Sequence, residues 1–252
     1  MNLIVYVDGG GIYSLLHKAI AMLGVYSTTI KNFKIVINNN HFIQNKMLFD
    51  DFFSYDNNED YTPLSSTNEI NFLKVYISPQ FNILKQTLRI NVINSIILKE
   101  VNRYANDFSI NENTLAIHIR LTDMNIWHAN DHGIYNFDTY KSKIDAMLSM
   151  YKNIDSIYIA SDNIESITKL IKLYNNNYKV YYIKDSYRVL YESDDNYKYQ
   201  IESINKYNDF HIKCFIEMLV ASRCTYFIYR ISDYSNFCIL FSDTIKHIES
   251  IN

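Results

Sequence analysis

Leu115-Ala116-Ile117-His118-Ile119-Arg120-Leu121-Thr122-Asp123 is an apolar run that breaks abruptly into His, Arg, Thr and Asp. Such a pattern predicts a buried parallel strand whose carboxyl end delivers polar groups into a crevice, the place where open α/β sheets bind their ligands. Arg120 is the one permanent cation of the stretch, and its planar fork can grip two oxygens of a phosphate. The residues therefore point to an anion site. The plainer alternative is an arginine that pairs with Asp123 at a strand end.

The same punctuation recurs on both sides. Leu3 to Val7 is a short β-rich run followed by Asp8-Gly9-Gly10-Gly11, which uses three of the five glycines of the chain at one turn. Apolar residues at Ile12, Leu15, Leu16, Ala19, Ile20 and Leu23 then keep helical spacing, and Lys34 to Asn38 is the next strand. Strand, glycine turn and helix make half of a nucleotide-binding unit. Gly9, Gly11 and Ser14 nearly match the dinucleotide fingerprint, but the third glycine and the acidic residue after the next strand are missing. A phosphate- or sugar-facing turn is therefore favoured over an NAD site, and a purely structural turn stays open.

Tyr55 to Asn71, with Pro63, reads as a long surface loop, and Leu84 to Tyr104 as a helix with an apolar stripe. After the anchor strand, Met124 to Asn136 is a polar loop, and a helix capped by Asp138 runs to about Tyr151. Ser156 to Ala160 is a strand ending in Ser161-Asp162-Asn163, and Ile164 to Tyr174 is the next helix. A strand at Lys179 to Ile183, a long loop at Lys184 to Asn208, a helix at Phe210 to Ala221 and a strand at Tyr226 to Tyr229 follow. Ile231 to Asn236 is a polar turn, and Phe237 to Ile248 is expected to close the chain as a helix. Alternation of this kind predicts an α/β fold of two Rossmann-like halves facing a cleft, with a single doubly wound sheet as the rival. The halves are placed at residues 1–106 on the acceptor side and 107–252 on the nucleotide-sugar side, the last helix being free to pack back on the N-terminal half.

With these residues assembled, the chain resembles the GDP-fucose fucosyltransferases of the α-1,6 and nodulation type, relatives of the protein O-fucosyltransferases and α-1,2-fucosyltransferases. Ala116 to Asp123 is similar to the strand and His-x-Arg-Arg-Thr-Asp of that family, and Tyr158 to Asn163 to its strand ending in Ala-Thr/Ser-Asp-Asp. Gly9 to His17 resembles its N-terminal glycine turn and helix; Phe215 to Ile228 followed by Ser235-Asn236-Phe237 resembles the helix, strand and turn that close its donor site. The resemblance implies a GT-B fold whose C-terminal half binds GDP-fucose; the donor contacts expected are Gly9, Gly10 and Gly11 of the N-terminal turn together with His118, Arg120, Asp123, Asp162, Ser235 and Asn236. It implies metal-independent, inverting transfer of fucose to a glycan or other hydroxyl acceptor, without a resident cofactor. The departures are specific. Leu121 stands where a second arginine is usual, Met124 where the α-1,6 members carry lysine, Asn163 replaces the second acid of the Asp-Asp pair, and Glu217 sits where Asp is common.

Arg120 is the residue expected to stabilise negative charge on the leaving phosphate. The loop after it carries His128 and Asp131, either of which can serve as the base that takes the acceptor proton; Asp131 is slightly favoured, and a solvated surface turn is the alternative. Asp162 is expected to cap the following helix, to accept from the nucleotide, or both. Ser235 and Asn236 can present a hydroxyl, an amide and a helix N-terminus to phosphate.

Composition bounds these readings. With 252 residues, 48% hydrophobic and a formal net charge of -3, the chain is long enough for one large or two small cores and offers nothing to a polyanion, so nucleic acid is not an expected partner. The abundance of Tyr (23 residues) carries no chemistry by itself. Cys214, Cys224 and Cys238 have no metal-ligand or disulfide spacing and are expected to be reduced core residues. Leu3 to Val7 is too short for a signal sequence or membrane span, and a cytoplasmic location is expected. A non-catalytic nucleotide-sugar binder and a Rossmann oxidoreductase remain as alternatives.

Overall fold

Alternation along Leu115 to Leu121 is what divides the C-terminal sheet into two faces. The strand β4, Thr114–Ile119, is buried along its whole length. Leu115, Ile117, Ile119 and Leu121 fall on one side, where they join a cluster with Tyr140, Ile144, Ile157, Ile159, Ile167 and Leu170. Ala116, His118 and Arg120 have the opposite parity.

The computed structural model of the chain describes residues 2–7, 32–37, 62–65, 93–121, 136–186, 188 and 210–251. Contacts group it into two units, Met1–Lys99 and Glu100–Asn252. In the first, β1 (Asn2–Val7), β2 (Asn32–Ile37) and β3 (Thr62–Ser65) form a parallel sheet in the order β2-β1-β3. The strand β3 corrects the reading of Tyr55 to Asn71 as uninterrupted loop. It lies at the edge of the three strands, where Pro63 is tolerated because the missing N–H can face away from the ladder.

The second unit holds a five-stranded, all-parallel sheet of order β6-β5-β4-β7-β8, built from β4, β5 (Ser156–Ser161), β6 (Lys179–Tyr181), β7 (Tyr226–Arg230) and β8 (His247–Ile251). Helix α1 (Ser95–Asp107) begins before the boundary and ends in this unit, whose further helices are α2 (Phe137–Met150), α3 (Ile164–Tyr174), α4 (Phe210–Ala221) and α5 (Asp233–Phe241). Parallel strands need crossovers, and helices supply them on both faces. On one face α2 meets β7 and β8 while α3 meets β5 and β6; α4 packs against β5 and α5.

The local chemistry explains the helix starts. Asn136, not Asp138, caps α2, its Oδ1 accepting from Thr139 N at 3.0 Å, and Asp138 falls in the first turn, where a carboxylate favours the helix dipole. Likewise Asn163 caps α3 by accepting from Ser166 N at 2.8 Å, so the capping role expected of Asp162 belongs to its neighbour.

The end of the chain also departs from expectation. The helix predicted over Phe237 to Ile248 stops at Phe241, because the Ser242 hydroxyl accepts from Thr244 N at 3.1 Å and Ile245 N at 2.9 Å and turns the backbone out of the helix. Residues from His247 onward then pair with β7 in parallel register. Lys143 of α2 binds Glu249 on that strand. All three cysteines are free thiols, Cys224 and Cys238 buried and Cys214 partly exposed. Burial pushes the Cys224 and Cys238 thiols up, as befits core residues.

Candidate anion-binding site

The strand order places the site before any side chain is considered. From β4 the chain steps outward through β5 to β6, then returns to the other flank of β4 with β7 and continues to β8. The direction reverses between β4 and β7, and a crevice opens outside the carboxyl ends of strands at such a switch point. His118 and Arg120 lie at that end of β4; Arg230 and the Ser232 to Asn236 segment lie at that end of β7.

His118 is buried and opposite Ala160 on one side and Tyr229 on the other. Its Nδ1 is 2.7 Å from Ser235 Oγ, and its ring stacks on Tyr234 with centroids 4.1 Å apart. The Ser235 hydroxyl has one proton, which it donates to the Arg230 carbonyl at 2.7 Å. Ser235 Oγ must therefore accept from the histidine, so Nδ1 carries the hydrogen and Nε2 is the acceptor. Burial, and then the charge of Arg120, push His118 down to about 3, which keeps the ring neutral. The imidazole is thus built to receive a hydrogen bond and is a poor anion ligand.

Arg120 is held at its backbone, where its N–H meets the Tyr140 hydroxyl at 3.4 Å and its carbonyl meets Arg230 Nη1 at 3.4 Å. Its side chain reaches across to β5, with Nε 4.0 Å from Asp162 Oδ2 and both side chains roughly a third exposed at 31% and 29%. The pairing expected with Asp123 falls on a residue outside the described ones; the partner seen is Asp162, which Asn163 has relieved of capping. Ser232 caps α5 by accepting from Ser235 N at 3.2 Å, and Asn236 N bonds back to Ser232 O at 2.9 Å, so Ser235 and Asn236 sit in the first turn of α5. A helix N-terminus there favours negative charge.

The fold thus brings together His118, Arg120, Asp162, Ser235 and Asn236. Gly9, Gly10, Gly11, Asp123, His128 and Asp131 lie outside the described residues. Leu121 is only 6% exposed and packs in the apolar cluster, since its parity points it to the α2 and α3 face; a second arginine has no polar surface to occupy there.

Solved proteins share this architecture. Bradyrhizobium fucosyltransferase NodZ superposes with a TM-score of 0.62 at 9% identity, covering 100% of this chain and 95% of the NodZ chain. The fold is that of fucosyltransferases. NodZ α-1,6-fucosyltransferase soaked with GDP-fucose (TM-score 0.56, 11% identity, 96% of this chain and 93% of that one) gives the same match. So does Arabidopsis thaliana FUT1 in complex with GDP (0.55, 10%, 98% and 69%). POFUT1 in complex with GDP-fucose is similar at 0.53 and 6% identity over 100% and 97%. No protein-family profile and no curated protein sequence matches the chain. The expected α/β, GT-B-like class is therefore met at the level of fold.

Three groups escaped the sequence reading as site residues. Arg230 ends the apolar run of β7 just as Arg120 ends that of β4, so the rule that singled out one arginine also applies to the other. Arg188 and Glu217 form a buried ion pair at this end of the sheet; the guanidinium also donates to the Ile183 carbonyl at 3.1 Å. One comes from the segment after β6 and the other from the middle of α4, and no spacing in the sequence joins them.

Proposed function

We propose that the chain is a glycosyltransferase that uses GDP-fucose as donor, transferring fucose with inversion to a glycan or other hydroxyl acceptor without a metal ion. The observation that supports this most directly is Arg120, a permanent cation at the carboxyl end of the central strand and beside the switch point. The structural relatives, which include NodZ soaked with GDP-fucose and POFUT1 in complex with it, supply the donor class.

Departure of GDP builds negative charge on the β-phosphate, and a fixed guanidinium at that oxygen stabilises the transition state more than the ground state. Arg120 takes that role, and the dipole at the N-terminus of α5 favours the same charge. His118, fixed by Ser235 with Nε2 as acceptor, receives a hydrogen bond from an N–H or O–H of the nucleoside. A preformed neutral acceptor distinguishes a nucleoside from bare phosphate. The acceptor proton goes to Asp131 or His128 in this proposal.

A second reading, a nucleotide-sugar binder without turnover, is favoured by one observation: Leu121 is committed to the apolar core, so the strand offers one cation where the resembling family has two. Thermal shift with GDP, GDP-fucose, UDP, CMP and NAD(P)H, with and without chelator, tests the donor class. At a hundredfold excess over Kd the binding ligand adds about 2.7 kcal/mol and raises Tm by about 5 to 10 °C. A shift for GDP-fucose that chelator abolishes rejects the metal-free site, and a preference for UDP or NAD(P)H rejects the donor. Release of GDP from GDP-fucose separates enzyme from binder, and Arg120→Ala is expected to lower turnover roughly 10²- to 10³-fold.

A further inference from the structure

Arg120 carries the donor reading, yet the paired part of the sheet stops one residue short of it. The register of β4 ends at Ile119 against β5 and at His118 against β7, so Arg120 is the first residue past both. Its neighbours in the chain are anchored, since Ile119 and Leu121 are both buried in the apolar cluster on the α2 and α3 face. What those anchors leave to be set is the orientation of the two peptide planes that flank its Cα, because each residue has two soft backbone dihedrals.

Each plane is met by a side chain from another element. On the N-terminal side, the Arg120 N–H donates to the Tyr140 hydroxyl of α2 at 3.4 Å. On the C-terminal side, the Arg120 carbonyl accepts from Arg230 Nη1, at the end of β7, at 3.4 Å. Both partners are set in the core. Tyr140 is fully buried and belongs to the same cluster as Ile119 and Leu121, and Arg230 is only 3% exposed. A guanidinium donating to a carbonyl makes a charge-assisted bond, stronger than a neutral one. The carbonyl of Arg230 in turn accepts from Ser235 Oγ at 2.7 Å, the hydroxyl that fixes His118. One residue of β7 thus supports both site side chains of β4 across the switch point.

We infer that Tyr140 and Arg230 are positioning residues that clamp the two peptide planes of Arg120 and thereby aim its guanidinium at the leaving phosphate. This rests on Arg120 being the diphosphate contact of the proposed function. With φ held from α2 and ψ held from β7, the Cα–Cβ direction is set before a ligand arrives, and less freedom is lost on binding. Such preorganisation bears on the chemical step above all. A displacement of about 1 Å at a transition-state contact can cost about 10²-fold in rate.

A double-substitution series in the full chain tests the clamp, read by release of GDP from GDP-fucose and by thermal unfolding. Tyr140→Phe removes the hydroxyl and keeps the ring; Arg230→Met removes the donors and keeps much of the packing. Each is expected to lower kcat roughly tenfold, by more than it raises KM. In an Arg120→Ala background the same substitutions should lower kcat further by less than about twofold. Their effect on Tm should persist there, because alanine keeps the backbone N–H and carbonyl that the clamp holds. Arg230→Lys, which retains a charged donor, should recover part of the lost rate. A purely structural role predicts the same further loss of rate with and without the Arg120 side chain, and that result overturns the inference. Should Arg230→Met not fold, Tyr140→Phe alone decides. A wild type that neither binds GDP-fucose nor releases GDP defeats the donor reading, and affinity for inorganic diphosphate then replaces kcat in the same cycle, falling in each clamp variant only where Arg120 is present. Diphosphate that fails to bind, or binds regardless of Arg120, overturns the clamp as well.

Discussion

Replacing Ser235 with alanine removes one oxygen that two buried groups depend on. The residue is fully buried, and its hydroxyl accepts from His118 Nδ1 at 2.7 Å while donating to the Arg230 carbonyl at 2.7 Å. Each buried group left without a partner costs about 1 to 3 kcal/mol, a carbonyl tending to the lower figure. The sum is about 3 kcal/mol, which for a domain of this size lowers Tm by about 6 to 12 °C. Urea unfolding measures the loss. In a His118→Phe background the ring has no N–H to satisfy, so Ser235→Ala should then cost only about a third as much. Nitrogen-detected NMR of the histidines reads the same geometry in the wild type, where His118 should be the Nδ1–H tautomer. A loss under about 0.5 kcal/mol, or an Nε2–H tautomer, would refute the assignment of His118 as a fixed acceptor.

Three further outcomes follow from the geometry. Asn163→Ala should destabilise by about 1 kcal/mol through loss of the α3 cap, whereas Asp162→Asn, which weakens a partly exposed 4.0 Å pair with Arg120, should cost under about 0.5 kcal/mol; equal costs in urea unfolding would contradict the division of labour seen here. Leu121→Arg, which puts a second arginine next to Arg120, should collapse soluble yield and stability by about 3 kcal/mol or more, because the side chain enters the apolar cluster; wild-type stability would show that the position can reach the crevice after all. His118 titrates near 3 in the folded protein against an ordinary value of 6.5, so the unfolded chain binds the extra proton between those values, and stability is lost as pH falls through that window. Unfolding free energies of His118→Phe should decline less than those of the wild type over the same range.

The elements with strong periodicity were legible from residues alone. Helices α3 and α4 occupy the predicted spans, and β4 and β5 lie where apolar runs break into polar residues. What escaped was set by weak or distant signals. Strand β3 is four residues long and carries a proline, so its pattern reads as loop until β1 is beside it. The turn that separates α5 from β8 contains neither Gly nor Pro, and only the Ser242 hydroxyl announces it. Within the site, Arg120 and His118 declare themselves because one strand carries both. The Arg188–Glu217 pair spans two elements whose own patterns are apolar or irregular, and only the packed sheet reveals it.

The central position of β4 has a consequence for how the chain is made. Its neighbours are β5 at residues 156–161 and β7 at residues 226–230, so this fully buried strand emerges from the ribosome before either partner exists. At about 5 to 20 residues per second, β4 waits about 5 to 20 s for β7. During that interval a sticky, unpaired strand is available to other nascent chains, and holdase chaperones become determinants of yield. Expression at reduced translation rate, which lengthens the wait, should therefore favour aggregation unless chaperones are supplied with it.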